Sequence, residues 1–185
     1  MVQAKKPLIV CALKQEYESE KRRVIYTGMG KIKAITELSK IDLFSYDLVV
    51  NLGSCGSGNV PRGTLVRITH HYEWDRQIPD GFEIPHHIVR ENPLMALNHP
   101  TKLPTATCAT GDSFVKDGIK GIPLPEDEPL VYDMEAYALA YWCAFMKKPF
   151  LCFKYVSDGG SEEEWLKSLV KMHDVFDEVL DAIGI

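Results

Sequence analysis

Between Val131 and Asp158 the chain sets an apolar, helix-length run between two strand-length ones, with acidic residues at both junctions. Val131-Tyr132 reads as a strand end, Asp133 to Lys147 as a helix, and Phe150 to Val156 as a strand. The helix is apolar around most of its circumference, through Met134, Ala136, Tyr137, Leu139, Tyr141, Trp142 and Phe145, so it is expected to be buried. A buried helix between short apolar strands restricts the chain to an α/β fold with layers packed on a sheet. Asp133 and Glu135 open the helix, and Asp158 ends the strand that follows. Helix N-termini and the C-terminal ends of parallel strands are where such folds build sites. If the strand starting near Pro149 runs beside the one ending near Val131, Glu135 and Asp158 share one sheet edge.

The preceding residues repeat the alternation. Pro7 to Leu13 is a continuously apolar run, as expected of a strand buried on both faces. Lys14 to Arg22 is polar and helix-compatible. Arg23 to Thr27 reads as a second strand, followed by Gly28-Met29-Gly30-Lys31 and an amphipathic helix from Ile32 to Ile41. Tyr46 to Leu52 is a third strand that runs into a glycine-rich turn, Gly53 to Gly58. A strand followed by a glycine turn, twice, is a doubly wound pattern. A phosphate loop at the first turn fits poorly, because its motif ends in Lys-Ser or Lys-Thr and Ile32 follows Lys31 here. Thr64 to Tyr72 and Thr105 to Ala109 read as strands. Glu73 to Pro104, with prolines at 79, 85, 93, 100 and 104, reads as an irregular segment bordering a site or a dimer contact. Lys116 to Pro129 is a loop rich in Gly, Pro and acidic residues. Ser161 is an N-cap before Glu162 to Glu164. The last helix reaches Ala182, with Trp165, Leu169, Met172, Val175, Phe176, Val179 and Leu180 as its inner stripe.

At 185 residues, one domain spanning 1–185 is expected. A net charge of -5 argues against a nucleic-acid partner, which needs a clustered basic surface. No apolar stretch approaches the roughly 18 residues of a membrane span, and the N-terminus reads as a first strand instead of a signal peptide. The five scattered cysteines read as buried free thiols of a reducing, cytoplasmic protein. No CxxC pair is present, and the adjacent pairs His70-His71 and His86-His87 make poor bidentate ligands on a strand, so no metal is expected.

Five stretches, in order, carry a family resemblance: Thr27-Gly28-Met29-Gly30-Lys31, Val50 to Gly56, Gly111-Asp112-Ser113-Phe114, Asp133-Met134-Glu135-Ala136, and Val156-Ser157-Asp158. Together they cover most of the chain and resemble the nucleoside phosphorylase and nucleosidase superfamily, most closely the methylthioadenosine/adenosylhomocysteine nucleosidases. The resemblance implies one three-layer α/β domain with a mixed, partly barrel-like central sheet flanked by helices. It implies a cofactor-free N-glycosidase of the cytoplasm, acting as a homodimer on a purine nucleoside such as 5′-methylthioadenosine or S-adenosylhomocysteine.

The same resemblance assigns roles. Asp158 would pass a proton to the purine's imidazole-ring nitrogen as the glycosidic bond breaks, which needs an acid that keeps its proton near neutral pH. Glu16 would activate the attacking water, held also by Ser54. Glu135 would accept hydrogen bonds from the ribose hydroxyls, with Met134 against the sugar and Met29 near the 5′ substituent. Phe114 would stack on the base and the Val115 backbone would read its edge. Ser157 and Asp133 belong to the substrate-binding motifs. Taken alone, Glu16 reads as a solvated carboxylate, Asp158 as a turn-former before Gly159-Gly160, Glu135 as a first-turn dipole partner, and Met134 and Phe114 as core. Asn51 stands where the phosphorylases carry a phosphate-clamping arginine, which favours water as the nucleophile. The chain is shorter than the usual nucleosidase. Asp133 replaces the family's usual Glu. Lys154 replaces its usual Arg, where it would contact the water-activating carboxylate. Tyr72 and Trp74 would enter a neighbouring subunit's pocket. A phosphate-dependent phosphorylase, a non-catalytic nucleoside-binding protein and an α/β domain without a small-molecule site stay open on these residues.

Overall fold

The computed structural model describes residues 6–76, 88–90, 102–116 and 129–185. Among them are β1 (Pro7–Cys11), β2 (Val24–Tyr26), α1 (Lys31–Ser39), β3 (Leu48–Gly56), β4 (Leu65–Glu73), β5 (Ile88–Arg90), β6 (Thr105–Thr110), β7 (Leu130–Asp133), α2 (Ala136–Phe145), β8 (Phe150–Asp158) and α3 (Glu162–Ala182). The hub is β3. It pairs in parallel with β1 and β8, and its last residue, Gly56, meets Tyr132 of antiparallel β7. From β8 the sheet passes antiparallel to β4, then in parallel to β6 and β7. Strands β3, β8, β4, β6 and β7 therefore close a ring, which β1–β2 and β5 extend. This is the mixed, partly barrel-like sheet that the resemblance implied.

Period-two alternation distributes β1 between two cores. Leu8 and Val10 join Ala34 and Leu38 of α1 and Ala136, Leu139 and Cys143 of α2 on one face. Ile9 and Cys11 join Met172, Phe176, Val179 and Leu180 of α3 on the other. The result is three layers, with β8 buried along its whole length between them. Full burial of each large apolar side chain stabilises the fold by roughly 1.5–3 kcal/mol.

Several expectations are corrected. Lys14 to Arg22 forms turns, not a helix. Its Tyr17 is fully buried and donates to Asp177 at 2.7 Å, while Arg22 pairs with Asp177 and Asp181, so α3 holds the segment down. Gly53 to Gly56 is not a turn: β3 runs through it, with a register irregularity at Cys55/Gly56. The glycines serve close approach, since a methyl group at Gly53 would lie 3.0 Å from Lys154 Nζ, and one at Gly56 would lie 3.2 Å from Asp158 Oδ1. Strands β7 and β8 do not pair, because β3 lies beside both. Asp133 belongs to β7, and α2 begins at Ala136. That helix is not buried all round: Tyr141 and Phe145 are 44% and 69% exposed. Within the 73–104 segment, β5 pairs with β4, and 77–87 and 91–101 lie outside the described residues, as do His86 and His87 and most of the 116–129 loop. Tyr72 is buried within its own chain, and Trp74 sits against Gly111.

Candidate active site

Segments leaving β1, β2, β3, β6, β7 and β8 surround a cavity of about 800 Å3. Glu16, Met29, Ser54, Phe114, Val115, Asp133, Met134, Glu135 and Asp158 all line it. Ser157 is not among the lining residues; it is buried behind Asp158. The ring of strands thus brings together carboxylates that are 142 residues apart in sequence, Glu16 and Asp158, at one opening.

Glu16 is 4% exposed and held by backbone and side-chain donors. Oε1 accepts from the backbone N–H of Ser54 at 2.9 Å and from its hydroxyl at 2.5 Å. Oε2 accepts from Leu13 N–H at 3.1 Å; the Cys11 thiol lies 3.6 Å from Oε2 and 3.4 Å from the Leu13 carbonyl oxygen, and its one hydrogen serves the nearer oxygen, which leaves a lone pair on Oε2. Burial and the Glu16 charge push the Cys11 thiol well above its ordinary value, so it stays a neutral donor. The indole N–H of Trp165 donates to Ser54 Oγ at 3.0 Å. Sequence reasoning assigned Trp165 to the inner stripe of α3, but it lines the cavity from the first turn of that helix.

Asp158 is 2% exposed at the end of β8, opposite Gly56 in the ladder. Its Oδ1 accepts from Gly160 N–H at 2.8 Å. Ser157 Oγ lies 2.7 Å from Asp158 Oδ2 and 3.1 Å from the Cys55 carbonyl oxygen. Glu16 is bonded to Ser54 and Asp158 pairs with Gly56, so the two carboxylates attach two residues apart along β3, about 7 Å of strand.

The third carboxylate is Glu135, at the N-cap of α2, whose Oε1 accepts from Gly30 N–H at 2.8 Å. Burial, and then the charge of nearby Asp133, push its carboxyl up to about 8. Asp133 behaves in the opposite sense. Burial alone would raise it, but the Lys154 ammonium at 2.7 Å, Thr110 Oγ1 at 2.6 Å and Ala136 N–H at 2.8 Å hold it below the usual carboxylate range. Asp133 borders the cavity, yet its oxygens are engaged by these partners. Lys154, 1% exposed, would lose charge through burial, and Asp133 reverses that and raises it. The expected contact of Lys154 with the water-activating carboxylate is therefore replaced by an ion pair with Asp133. The shorter acid and the shorter base meet each other under the floor of the cavity.

The glycine turn after β2 uses left-handed backbone at Gly28 and Gly30, with φ of 75° and 99°. Its N–H groups are taken by protein carboxylates: Gly30 by Glu135, and Lys31 by Asp112 at 2.8 Å. The Lys31 ammonium reaches Glu73 at 2.8 Å and Asp75 at 2.5 Å, tying this turn to the end of β4. This occupancy removes the phosphate-loop reading. Asn51 is also withdrawn from the site. It is 1% exposed, donates to Val10 and Leu52 carbonyls, and accepts from the Cys152 thiol. Among the described residues no arginine lines the cavity. Met29 and Phe114 stand at its mouth, 51% and 44% exposed.

Comparison with known proteins agrees with this architecture. A 5′-methylthioadenosine/S-adenosylhomocysteine nucleosidase of Bacillus pumilus is 29% identical over 169 residues, covering 80% of this chain and 72% of the relative. The enzyme of the same name from Bacillus subtilis is 27% identical over 195 residues, covering 92% and 78%. Among solved structures, a nucleosidase of this type from S. pneumoniae, bound to the transition-state inhibitor MT-ImmA, superposes with a TM-score of 0.78 at 19% identity over 96% of this chain and 97% of that one. One from Colwellia psychrerythraea in complex with adenine gives 0.73 at 20% identity over 98% and 94%. The family model of the phosphorylase superfamily matches residues 12–183, and the chain belongs to that superfamily.

Proposed function

We propose that this chain hydrolyses the N-glycosidic bond of a purine nucleoside, with a 5′-thio-substituted adenosine as the favoured substrate. The carrying observation is that Glu16 and Asp158, two buried carboxylates, open onto one cavity of nucleoside size. Relatives named as 5′-methylthioadenosine/S-adenosylhomocysteine nucleosidases support the substrate class.

Glycosidic cleavage through an oxocarbenium-like state needs an acid at the leaving group and a carboxylate orienting water on the other face of the sugar. Asp158 is the acid. A hydroxyl has one hydrogen, yet Ser157 Oγ lies within bonding distance of both Cys55 O and Asp158 Oδ2. That hydrogen serves either oxygen, and the contact at 2.7 Å holds the Asp158 carboxyl at the end of β8. Gly160 N–H holds Oδ1, so the carboxyl is fixed where it lines the cavity, placed to pass a proton to the base as the bond breaks. Glu16, with Ser54, orients the water. Glu135 bonds the ribose hydroxyls, its carboxyl pushed up to about 8 so that it donates to one and accepts from the other, with Met134 and Met29 as apolar walls, and Phe114 and Val115 border the base. Asp133 acts indirectly by fixing the first turn of α2 through Ala136 N–H. The reaction as drawn uses no cofactor. The absence of arginine from the described lining, with Asn51 buried, supports water over phosphate as the nucleophile.

The test is to incubate the purified protein with a panel of purine nucleosides, with and without phosphate, and separate the products. Free base and free sugar without phosphate are expected. A sugar phosphate formed only with phosphate would mark a phosphorylase, and no base release from any nucleoside would end the reading.

The same proposal takes residues 1–185 as one domain, since β1 and β8 from the two ends of the chain flank β3. It also places the protein in a reducing cytoplasm, which suits its five buried free cysteines, and no helix among the described residues is long and apolar enough to cross a membrane. A homodimer is supported by Met29 and Phe114, exposed apolar residues in the cavity lining. Sedimentation equilibrium should return twice the 20.9 kDa chain mass; a monomer at micromolar concentration would contradict the dimer.

A further inference from the structure

We propose that Trp165 is a positioning residue for Glu16, acting through Ser54; the proposal rests on the glycosidase reading of the cavity. An indole N–H can only donate, and that of Trp165 donates to Ser54 Oγ at 3.0 Å. This occupies one lone pair of the hydroxyl, and the hydroxyl's only hydrogen goes to Glu16 Oε1. The second lone pair of Ser54 stays available to accept from a water. A water that donates to both Ser54 and Glu16 turns its own lone pair toward the sugar. Without the indole, the Ser54 hydroxyl is free to rotate and donate elsewhere, and the water loses its fixed orientation.

The same helix turn also reaches the acid. Ser161 caps α3 by accepting from Glu164 N–H, and the Glu164 carboxylate accepts from Gly159 N–H at 3.2 Å. Gly160 N–H in turn holds Asp158. Arg62 pairs with Glu164 from outside and anchors the turn. A set of hydrogen bonds joined by short stretches of backbone thus runs from Asp158 through the first turn of α3 to Trp165, Ser54 and Glu16. Trp165 is the member of α3 that carries it across the cavity. Its side chain is only half-buried, so replacement by another ring leaves the core of α3 intact.

The test is a double-mutant cycle on steady-state hydrolysis, with Trp165→Phe, Ser54→Ala and the pair. Trp165→Phe keeps a ring and removes the donor. It is expected to lower kcat about tenfold with KM changed less than about twofold. In the Ser54→Ala background the same replacement is expected to change kcat by less than about twofold, because the residue it acts through is gone. Trp165→His, which can present a ring N–H, is expected to retain more kcat than Trp165→Phe. An unchanged kcat in Trp165→Phe, or an equal loss in both backgrounds, overturns the positioning role while leaving hydrolysis by the wild type in place. Absence of base release by the wild type overturns the glycosidase reading and this role together.

Discussion

Asp158→Asn is expected to lower base release by roughly 10²- to 10⁴-fold, the range that a general acid contributes, with KM changed only a few-fold. The substitution is nearly isosteric, and the surroundings accept it. The amide oxygen can take the Gly160 N–H that Oδ1 now accepts, and the amide nitrogen can donate to Ser157 Oγ, which now contacts Oδ2. Ser157 then donates to Cys55 O. What the variant lacks is a transferable proton at the leaving base. Steady-state kinetics with a purine nucleoside, together with thermal unfolding, separates the two effects: activity should collapse while stability stays near that of the wild type. An Asp158→Asn protein with near-normal kcat would remove Asp158 from the acid role.

The second large effect concerns stability. Lys154→Met removes the cation from a pair buried to 1% and 2% side-chain exposure and strands the Asp133 carboxylate in the core. Breaking one side of a buried pair costs about 3–5 kcal/mol, a large part of the 5–15 kcal/mol or so that holds a typical domain. The pH dependence has a definite sign. In the wild type Asp133 is held below its unfolded value, so its contribution is present above that value and is lost as pH falls through the folded one. In the variant, burial acts without Lys154 and raises Asp133 instead. The stability deficit of Lys154→Met should then be greatest near neutral pH and shrink as acid protonates Asp133. Urea unfolding of both proteins across this range measures it. A deficit below about 1 kcal/mol, the scale of an exposed pair, would show that the pair is not buried as described.

Much of the sheet was legible because it rests on local pattern. The apolar runs from Pro7, Tyr46, Thr105 and Phe150 became β1, β3, β6 and β8, and Ser161 caps α3 as its place before Glu162 to Glu164 implied. The glycines of β3 misled because the same residue type serves two purposes. Gly28 and Gly30 do supply left-handed turns, whereas Gly53 and Gly56 make room for Lys154 and Asp158 arriving from another strand. No local signal separates a turn glycine from a clearance glycine. Tyr17 was hidden for a related reason: it lies in a polar stretch, and its partners are 160 residues away on α3.

The site divides in the same way. Glu135 and Asp158 were found through motif order and Glu16 only through the family resemblance, and the fold gathers all three at one cavity. Lys154 was assigned the wrong partner. The family motif placed it toward Glu16, but Asp133, one carbon shorter than the usual Glu, sits at 2.7 Å and takes its charge. Trp165 was missed because an apolar stripe on an amphipathic helix gives no sign of which member reaches past the core into a site.

The central claim is that Glu16 and Asp158 act on opposite faces of one glycosidic bond, with water as the nucleophile. Its most direct test is turnover of a purine nucleoside in oxygen-18-labelled water, with phosphate present, and mass analysis of the sugar. The account predicts free base, one labelled oxygen at the anomeric carbon of the sugar, and loss of that product in Glu16→Gln. A sugar phosphate without label, or labelled sugar formed at an undiminished rate by Glu16→Gln, would contradict it.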